Sequence, residues 1–135
     1  MIKKQASKTP RSKPRKALEK KAQAECFQWA WNYRQETRGL LASIENEEGG
    51  GVGKIMQRKA AGLLPGFADM VLLMARNERH GLFIELKTPD GKQSPAQKTF
   101  QENVEREGYQ YEIAIVLPGA IEEFKNILDK YLGNY

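Results

Sequence analysis

Two apolar runs joined by a short polar segment restrict the fold of this chain more than any other feature. The runs are ADMVLLMA at residues 68–75 and LFIELK at residues 82–87, and residues 76–81 between them are polar and end in glycine. Short apolar runs that are bounded by turn residues are typical of buried strands. The sequence therefore predicts a β-hairpin whose strands are apolar except at a few charged positions.

Helix and strand patterns alternate around this hairpin. The segments that we predict to be helical are 17–38, 52–61, 94–107 and 119–132. Two further strands are predicted at 40–44 and 109–117, and the polar, glycine-rich segment 45–51 is predicted to be a loop. The order α-β-α-β-β-α-β-α indicates the α/β class, with helices packed around a mixed sheet.

Positive charge is concentrated at the amino end. Residues 1–21 have a net charge of +8 and the rest of the chain −3, which together give the +5 of the whole chain. Residues 1–16 contain too few apolar groups to offset their ordering entropy, so we divide the chain into a disordered basic arm, 1–16, and a folded domain, 17–135. A basic arm favours a polyanionic partner, and a solubilising tail or a cloning remnant is the alternative. The candidates for nucleic-acid contact are Lys13, Arg15, Lys16, Lys54 and Arg58.

Several protein classes are excluded by composition. The single cysteine, Cys26, excludes an intramolecular disulfide and a cysteine-rich zinc site. No run approaches the roughly 20 apolar residues of a membrane span, and no apolar segment follows the charged start as in a secretory signal. We therefore expect a soluble, cytoplasmic protein with no membrane partner.

The strand LFIELK contains the most informative charged residues, Glu85 and Lys87. Residues two apart on a strand share a face, so these two side chains project together from an otherwise apolar strand, where unpaired charges are costly. The other two E-x-K tripeptides begin at Glu19 and Glu123 in predicted helices, where positions two apart point in nearly opposite directions. Only the copy in the hairpin is a candidate for a joint site.

Asp69 belongs to the same candidate site. Opposed residues in an antiparallel hairpin have a constant sum of numbers, and a turn centred near residue 77 places Asp69 opposite Glu85 or nearly so. Like charges that face each other need a counter-charge, which Lys87 or a divalent cation can supply. The alternative is an Asp that only begins a strand, next to a Glu–Lys surface pair.

Glu25 is a further candidate from the first helix, because it falls within the apolar stripe. The members of that stripe are Leu18, Ala22, Cys26, Trp29, Ala30 and Tyr33. A carboxylate that points inward needs a partner, and the alternative is an ion pair with Lys21 on the helix surface. We predict Glu25 as a third metal ligand.

These oxygen ligands without histidine or cysteine favour Mg²⁺ or Mn²⁺. Such an ion, held by Glu25, Asp69 and Glu85, can polarise a phosphate and lower the pKa of a bound water. Lys87 can hold the attacking water or neutralise charge in the transition state. The predicted reaction is phosphodiester hydrolysis.

The stretch GFADMVLL…GLFIELKTPDGKQSPAQKTFQENVEREGYQYEIAIV, residues 66–116, resembles the VRR-NUC family, a virus-type replication and repair nuclease branch of the PD-(D/E)XK superfamily. The resemblance implies a restriction-endonuclease-like core, Asp69, Glu85 and Lys87 as the catalytic residues, and Gln97 as the motif glutamine. Gln97 has a second explanation, because Ser94, Pro95 and Gln97 form the capping box of a helix start. The sequence departs from the family in having Ala68 where a proline is usual.

The resemblance also implies the substrate. Stand-alone members of the family resemble four-way-junction resolvases, so we predict a metal-dependent, structure-selective endonuclease acting on branched DNA. The alternatives are a non-selective or nicking phage nuclease and a non-catalytic DNA-binding protein on a nuclease fold. Symmetric cutting of two strands requires two sites, so we expect a homodimer, with Trp31, Leu40 and Leu41 as candidate interface residues.

Overall fold

The computed structural model describes residues 12–44 and 51–133, and the predicted order of elements is confirmed. The helices are α1 (Ser12–Tyr33), α2 (Val52–Ala60), α3 (Pro95–Arg106) and α4 (Glu122–Leu132), with a short 3₁₀ helix at Gln35–Thr37. The strands are β1 (Leu41–Ser43), β2 (Met70–Leu72), β3 (Leu82–Lys87) and β4 (Gln110–Ile115). No helix in the described ranges combines the length and apolar character that a membrane span requires. The predicted loop 45–51 lies outside these ranges except for Gly51.

The four strands form one mixed sheet in the order β1-β2-β3-β4. The pairs β1–β2 and β2–β3 are antiparallel, and β3–β4 is parallel, because α3 carries the chain back across the sheet. The predicted α/β class with a mixed sheet is therefore confirmed.

The hairpin has the predicted register. Met70 pairs with Ile84, and one further step along the ladder brings Asp69 opposite Glu85. The strand β2 is shorter than the predicted run 68–75, because β3 begins at Leu82 and its partner on β2 is Leu72. Residues after Leu72 have no partner on β3 and lead into the turn.

The sheet buries two different faces. On one face, Ala22, Cys26 and Ala30 of α1 pack with Ile84, Leu86 and the apolar side of α4 in the main core. On the other face, α3 covers an aromatic cluster, whose members are Phe67, Phe83, Phe100, Tyr109 and Tyr111. Small residues on α1 permit its close approach to the sheet.

The first helix begins earlier and ends earlier than the predicted span, 17–38. Its first turn is formed by residues 12–16, which the sequence assigned to the arm, while residues 1–11 lie outside the described ranges. Pro14 is compatible with this start because the first turn of a helix leaves backbone N–H groups unused. The helix ends at Tyr33, and Thr37 Oγ1 then donates to Arg34 O at 2.8 Å in the 3₁₀ turn.

The two ends of the predicted apolar stripe lie at the surface. Leu18 is 40% exposed and Tyr33 is 70% exposed, since the sheet contacts only the middle of α1. Leu40 and Leu41, predicted for a dimer interface, are half-buried and pack against the main core. Trp31 is 57% exposed, and the Arg38 guanidinium lies 4.5 Å from its ring centroid.

Candidate active site

The two carboxylates of the hairpin lie on the α3 face of the sheet, beyond the aromatic cluster. Asp69 immediately precedes β2, and its Oδ2 accepts a 2.7 Å hydrogen bond from the Leu86 N–H. Burial raises the pKa of Asp69, while this backbone donor and Lys87 act in the opposite direction. The predicted juxtaposition of Asp69 and Glu85 is therefore present, with Asp69 oriented by the backbone of β3.

Glu85 is the most buried carboxylate of the hairpin, with 1% of its surface exposed. Gln97 Nε2 donates to its Oε1 at 2.6 Å, and the Tyr111 hydroxyl donates to its Oε2 at 3.0 Å. Burial raises the pKa of Glu85 to about 7, since desolvation outweighs the attraction of Lys87. Glu85 therefore ionises at a higher pH than an exposed glutamate.

Lys87 and Glu85 share a strand face as predicted, and Gln97 connects them. Lys87 Nζ lies 4.0 Å from Glu85 Oε2 and donates to Gln97 Oε1 at 3.0 Å. The same Gln97 Oε1 accepts from the Ser94 N–H at 2.8 Å, and Ser94 Oγ accepts from the Gln97 N–H. The capping box is therefore confirmed, and the same side chain also bridges Glu85 and Lys87, which keeps the motif role of Gln97 a prediction.

The start of α3 reaches the hairpin because of a glycine. Gly66 has a φ of +78°, and a Cβ atom there would lie 2.3 Å from the carbonyl carbon of Ala96. Any side chain at this position would force α3 away from the residues that lead into β2. Gly66 therefore sets the distance at which Gln97 meets Glu85.

Ala68 is fully buried nearby in the aromatic cluster, so the small side chain that replaces the family's usual proline fits this packing.

The first-helix carboxylate that approaches this site is Glu19, and the sequence did not single it out. Burial and the charge of Asp69 raise the pKa of Glu19, while Lys87 and a hydrogen bond from the Thr88 backbone act in the opposite direction. The amino end of α1 therefore crosses the carboxyl end of β3. Its position within the buried stripe, seven residues before Cys26, is the signal that could have identified it.

Glu25, the residue predicted in this role, lies elsewhere. Its Oε1 and Oε2 accept from the Gly119 N–H at 3.0 and 3.1 Å, in the turn between β4 and α4. On a helical wheel Glu19 falls between the buried residues Cys26 and Ala30, whereas Glu25 lies about 60° from Ala22 on the side away from them. The structure therefore does not bring Glu25 to Asp69 and Glu85.

The predicted nucleic-acid contacts lie on two elements. Arg15 Nη2 pairs with Asp90 Oδ2 at 3.0 Å, which joins the start of α1 to the turn after β3. Lys13 and Lys16 belong to the same end of α1, and the side chain of Lys13 is outside the described atoms. Lys54 is exposed and Arg58 half-exposed on α2, a helix without a buried residue. The apolar side of α2 is also exposed, since Val52 is 74% and Met56 65% accessible.

A model of the VRR-NUC domain family matches residues 8–118, which is most of the chain. The chain belongs to the VRR-NUC family. A solved structure described as a VRR-NUC domain protein is similar in fold, with a TM-score of 0.72 and 22% identity over 85% of this chain and 88% of that chain. No curated protein matches the chain.

Membership in the VRR-NUC family identifies a nuclease domain, and the structural match confirms the restriction-endonuclease-like fold. The residues of the resemblance, Asp69, Glu85, Lys87 and Gln97, are neighbours in this VRR-NUC domain. We refer to these four residues as the hairpin site.

The donor set of this VRR-NUC domain suits Mg²⁺ or Mn²⁺. Within residues 12–44 and 51–133, no three His, Cys, Asp or Glu side chains are grouped tightly enough to bind a metal ion by themselves. Mg²⁺ is commonly bound through one or two carboxylates, with water and substrate phosphate completing the octahedron. Asp69 and Glu85 fit that pattern, and Glu19 is close enough to influence the charge of the site.

Two further polar groups of the site were missed by the sequence, Tyr111 and Gln93. Tyr111 lies on β4 with 5% of its surface exposed, and Gln93 Nε2 lies 3.4 Å from its hydroxyl oxygen. Burial and the charge of Glu85 raise the pKa of Tyr111, so the hydroxyl remains a donor. A tyrosine in the apolar strand YQYEIAIV predicts a buried hydroxyl that needs a hydrogen-bond partner. Which residue is the partner depends on the parallel register of β3 and β4, and the sequence does not specify that register.

Proposed function

We propose that this VRR-NUC domain is a Mg²⁺- or Mn²⁺-dependent, structure-selective endonuclease that hydrolyses phosphodiester bonds in branched DNA. The observation that carries the proposal is the hairpin site itself. Two desolvated carboxylates and one lysine meet at one end of the hairpin, and the motif glutamine contacts both Glu85 and Lys87. Charged groups in an otherwise apolar hairpin are expensive to bury, so their joint occurrence favours chemistry over packing.

Each residue of the hairpin site has a distinct part in this proposal. A divalent ion held by Asp69 and Glu85 would polarise the scissile phosphate and acidify a bound water. Lys87 presents its ammonium on the same face, where it neutralises negative charge that develops on the phosphate oxygens. Gln97 holds Lys87 and Glu85 at a fixed separation through its two amide atoms. The Leu86 N–H holds the carboxylate of Asp69 in place by donating to its Oδ2.

Recognition of DNA is proposed to depend on shape and backbone rather than on base sequence. The described part of the chain is one small α/β domain, and the basic side chains that we expect to contact DNA lie on α1 and on α2. Phosphate contacts by the arm and by Lys54 would add affinity that falls steeply with salt. Removing residues 1–11, the part of the arm that precedes α1, should flatten the salt dependence of DNA binding, and an unchanged slope would exclude this part of the arm from the complex.

A homodimer is the assembly that we propose for cutting both strands of a junction. One chain supplies one hairpin site, and two-fold pairing matches the near two-fold symmetry of a four-way junction. Sedimentation at micromolar concentration should give about 31 kDa, twice the 15.3 kDa of the chain. A 15 kDa species that nicks one strand per encounter would support the nicking alternative instead.

The central experiment is digestion of linear, flapped, forked and four-way DNA with Mg²⁺, with Mn²⁺ and with a chelator. We expect cleavage of the branched substrates in either metal and none in chelator. The matched control is Asp69→Asn, which keeps the size of the side chain and its acceptor for the Leu86 N–H. Cleavage in chelator, or full activity of Asp69→Asn, would contradict the proposed metal site. Equal cleavage of linear and branched DNA would contradict structure selectivity alone, and DNA binding without cleavage would favour the non-catalytic alternative.

A further inference from the structure

The Glu85 carboxylate is held by two donors that come from different elements of the fold. Gln97 on α3 donates to Oε1 at 2.6 Å, and the Tyr111 hydroxyl on β4 donates to Oε2 at 3.0 Å. Gln97 belongs to the nuclease motif, whereas Tyr111 is outside it. A carboxylate offers about four lone-pair positions, so one donor on each oxygen still leaves a free position on each oxygen for a cation.

The direction of the Tyr111 hydrogen bond is imposed by Gln93. The amide nitrogen of Gln93 donates to Gln101 Oε1 at 2.8 Å and lies 3.4 Å from the Tyr111 hydroxyl oxygen. Because an amide NH₂ group can only donate, the Tyr111 oxygen accepts on that side. Its single proton is therefore directed at Glu85, and the hydrogen bonds form one ordered chain through Gln101, Gln93, Tyr111 and Glu85.

We propose that Tyr111, oriented by Gln93, is a positioning residue that fixes the Glu85 carboxylate for binding of the divalent cation. The inference rests on the proposed function and adds to it a residue that the nuclease motif does not contain. Groups that hydrogen-bond to metal ligands orient them, and their removal commonly costs 10- to 100-fold in metal affinity or activity.

The nearest alternative partner of Glu85 explains why the hydroxyl matters. Lys87 Nζ lies 4.0 Å from Glu85 Oε2, the same oxygen that Tyr111 contacts. Without the hydroxyl, Oε2 would lack a donor in a buried site, and rotation toward Lys87 would supply one. A close Glu85–Lys87 ion pair would withdraw both groups from the reaction. The hydroxyl thus keeps the carboxylate and the ammonium apart.

The test is the variant Tyr111→Phe, which removes the hydroxyl and keeps the ring that packs 6.2 Å from Phe100, centroid to centroid. The matched control is Tyr109→Phe in the same aromatic cluster, where the ring packs on Phe83. Four quantities are measured: kcat and KM on four-way DNA, the Kd for Mn²⁺ by calorimetry without DNA, and Tm. For Tyr111→Phe we expect kcat lower and the Mn²⁺ Kd higher, each by about tenfold or more, with KM for DNA and Tm nearly unchanged.

A second variant, Gln93→Leu, tests the orientation without altering the tyrosine. It should weaken Mn²⁺ binding in the same direction by a smaller factor. Wild-type Mn²⁺ affinity in Tyr111→Phe, or an equal loss in Tyr109→Phe, would overturn the proposal and leave Tyr111 as a packing residue. If the wild type binds Mn²⁺ but cleaves no DNA, the proposed function fails while the affinities still decide the role of Tyr111. A wild type that neither binds nor cleaves overturns both.

Discussion

The strand β3 has two faces that serve opposite purposes. Leu82, Ile84 and Leu86 are fully or almost fully buried in the main core, between the sheet and the helices α1 and α4. On the opposite face, Phe83 packs in the aromatic cluster, and Glu85 and Lys87 follow it at the hairpin site. One strand thus combines side chains whose burial stabilises the fold with charges whose burial destabilises it.

The difference between the faces indicates how the site is maintained. Glu85 loses its hydration in the fold, and this loss raises its pKa to about 7 even with Lys87 and two hydrogen-bond donors nearby. The apolar face of the same strand provides stability that offsets this cost. We therefore expect substitutions on the two faces to separate stability from activity.

The largest effect is expected for Glu85→Gln, which removes the charge from the site face and keeps its size. Cleavage of branched DNA should fall by more than a thousandfold, or about 4 kcal/mol of transition-state stabilisation. Stability at pH 8 should be equal to or higher than that of the wild type, because the desolvated charge is gone. Cleavage rates and urea unfolding curves of the two proteins measure both quantities.

The comparison of the two faces fails if Glu85→Gln unfolds while losing activity, because Glu85 would then be a structural residue. Lys87→Met provides the accompanying control on the same face. This variant should lower the turnover of DNA cleavage and leave Mn²⁺ binding unchanged. Unchanged turnover would mean that Lys87 only balances the charge of Glu85.

The next effect is expected on the apolar face, for Ile84→Ala. Ile84 is fully buried in the main core, so its truncation should lower the free energy of unfolding by about 2–5 kcal/mol. Below its Tm the folded variant should still cleave DNA at a rate near that of the wild type. A loss below 1 kcal/mol, or a large loss of kcat in the folded protein, would show that the faces are not separate in function.

The pH dependence of the free energy of unfolding, measured without metal, tests the cost of burying Glu85 on the site face of β3. Glu85 ionises near 4.5 in the unfolded chain and near 7 in the fold, so between these values the folded state holds a proton that the unfolded chain has lost. The free energy of unfolding should therefore fall as pH rises through this window, by about 2–3 kcal/mol. The raised pKa of Asp69 acts in the same direction. Unfolding curves in chelator at pH 5 and pH 8 test this, and a slope unchanged in Glu85→Gln would assign the effect to another group.

The smallest effects are expected for the two carboxylates of α1. Glu19→Gln should weaken Mn²⁺ binding several-fold, because Glu19 is electrostatically coupled to Asp69.

Glu25→Ala should leave Mn²⁺ binding unchanged and lower the free energy of unfolding by about 1 kcal/mol, since it loses the contacts to the Gly119 N–H. Calorimetric titration and urea unfolding separate the two variants. Weaker Mn²⁺ binding in Glu25→Ala and unchanged binding in Glu19→Gln would support Glu25 as the metal ligand.

The hairpin site was largely predictable because its pattern is local. The period of two along a strand determines that Glu85 and Lys87 share a face, and the position of the turn determines that Asp69 lies opposite Glu85. The capping box at Ser94 and Gln97 was equally predictable, because it depends on residues within one helical turn. The end of α1 was not predictable in this way, because it depends on residues far along the chain. The helix ends at Tyr33, and the next residue, Arg34, donates to Gly133 O and pairs with Asp129.

Local patterns in the chain were enough to predict the order of elements, the shared face of Glu85 and Lys87, and the position of Asp69 opposite Glu85. They did not predict that Glu19 rather than Glu25 approaches Asp69, nor that Tyr111 contacts Glu85, because both depend on packing between elements. Helical periodicity specifies which stripe of α1 is buried, but the position of the helix along the sheet depends on how Ala22, Cys26 and Ala30 pack in the main core. The partner of Tyr111 likewise depends on the parallel register of β3 and β4, which is set across the whole α3 crossover. Local periodicity fixes directions within an element, whereas packing between elements fixes which side chains meet.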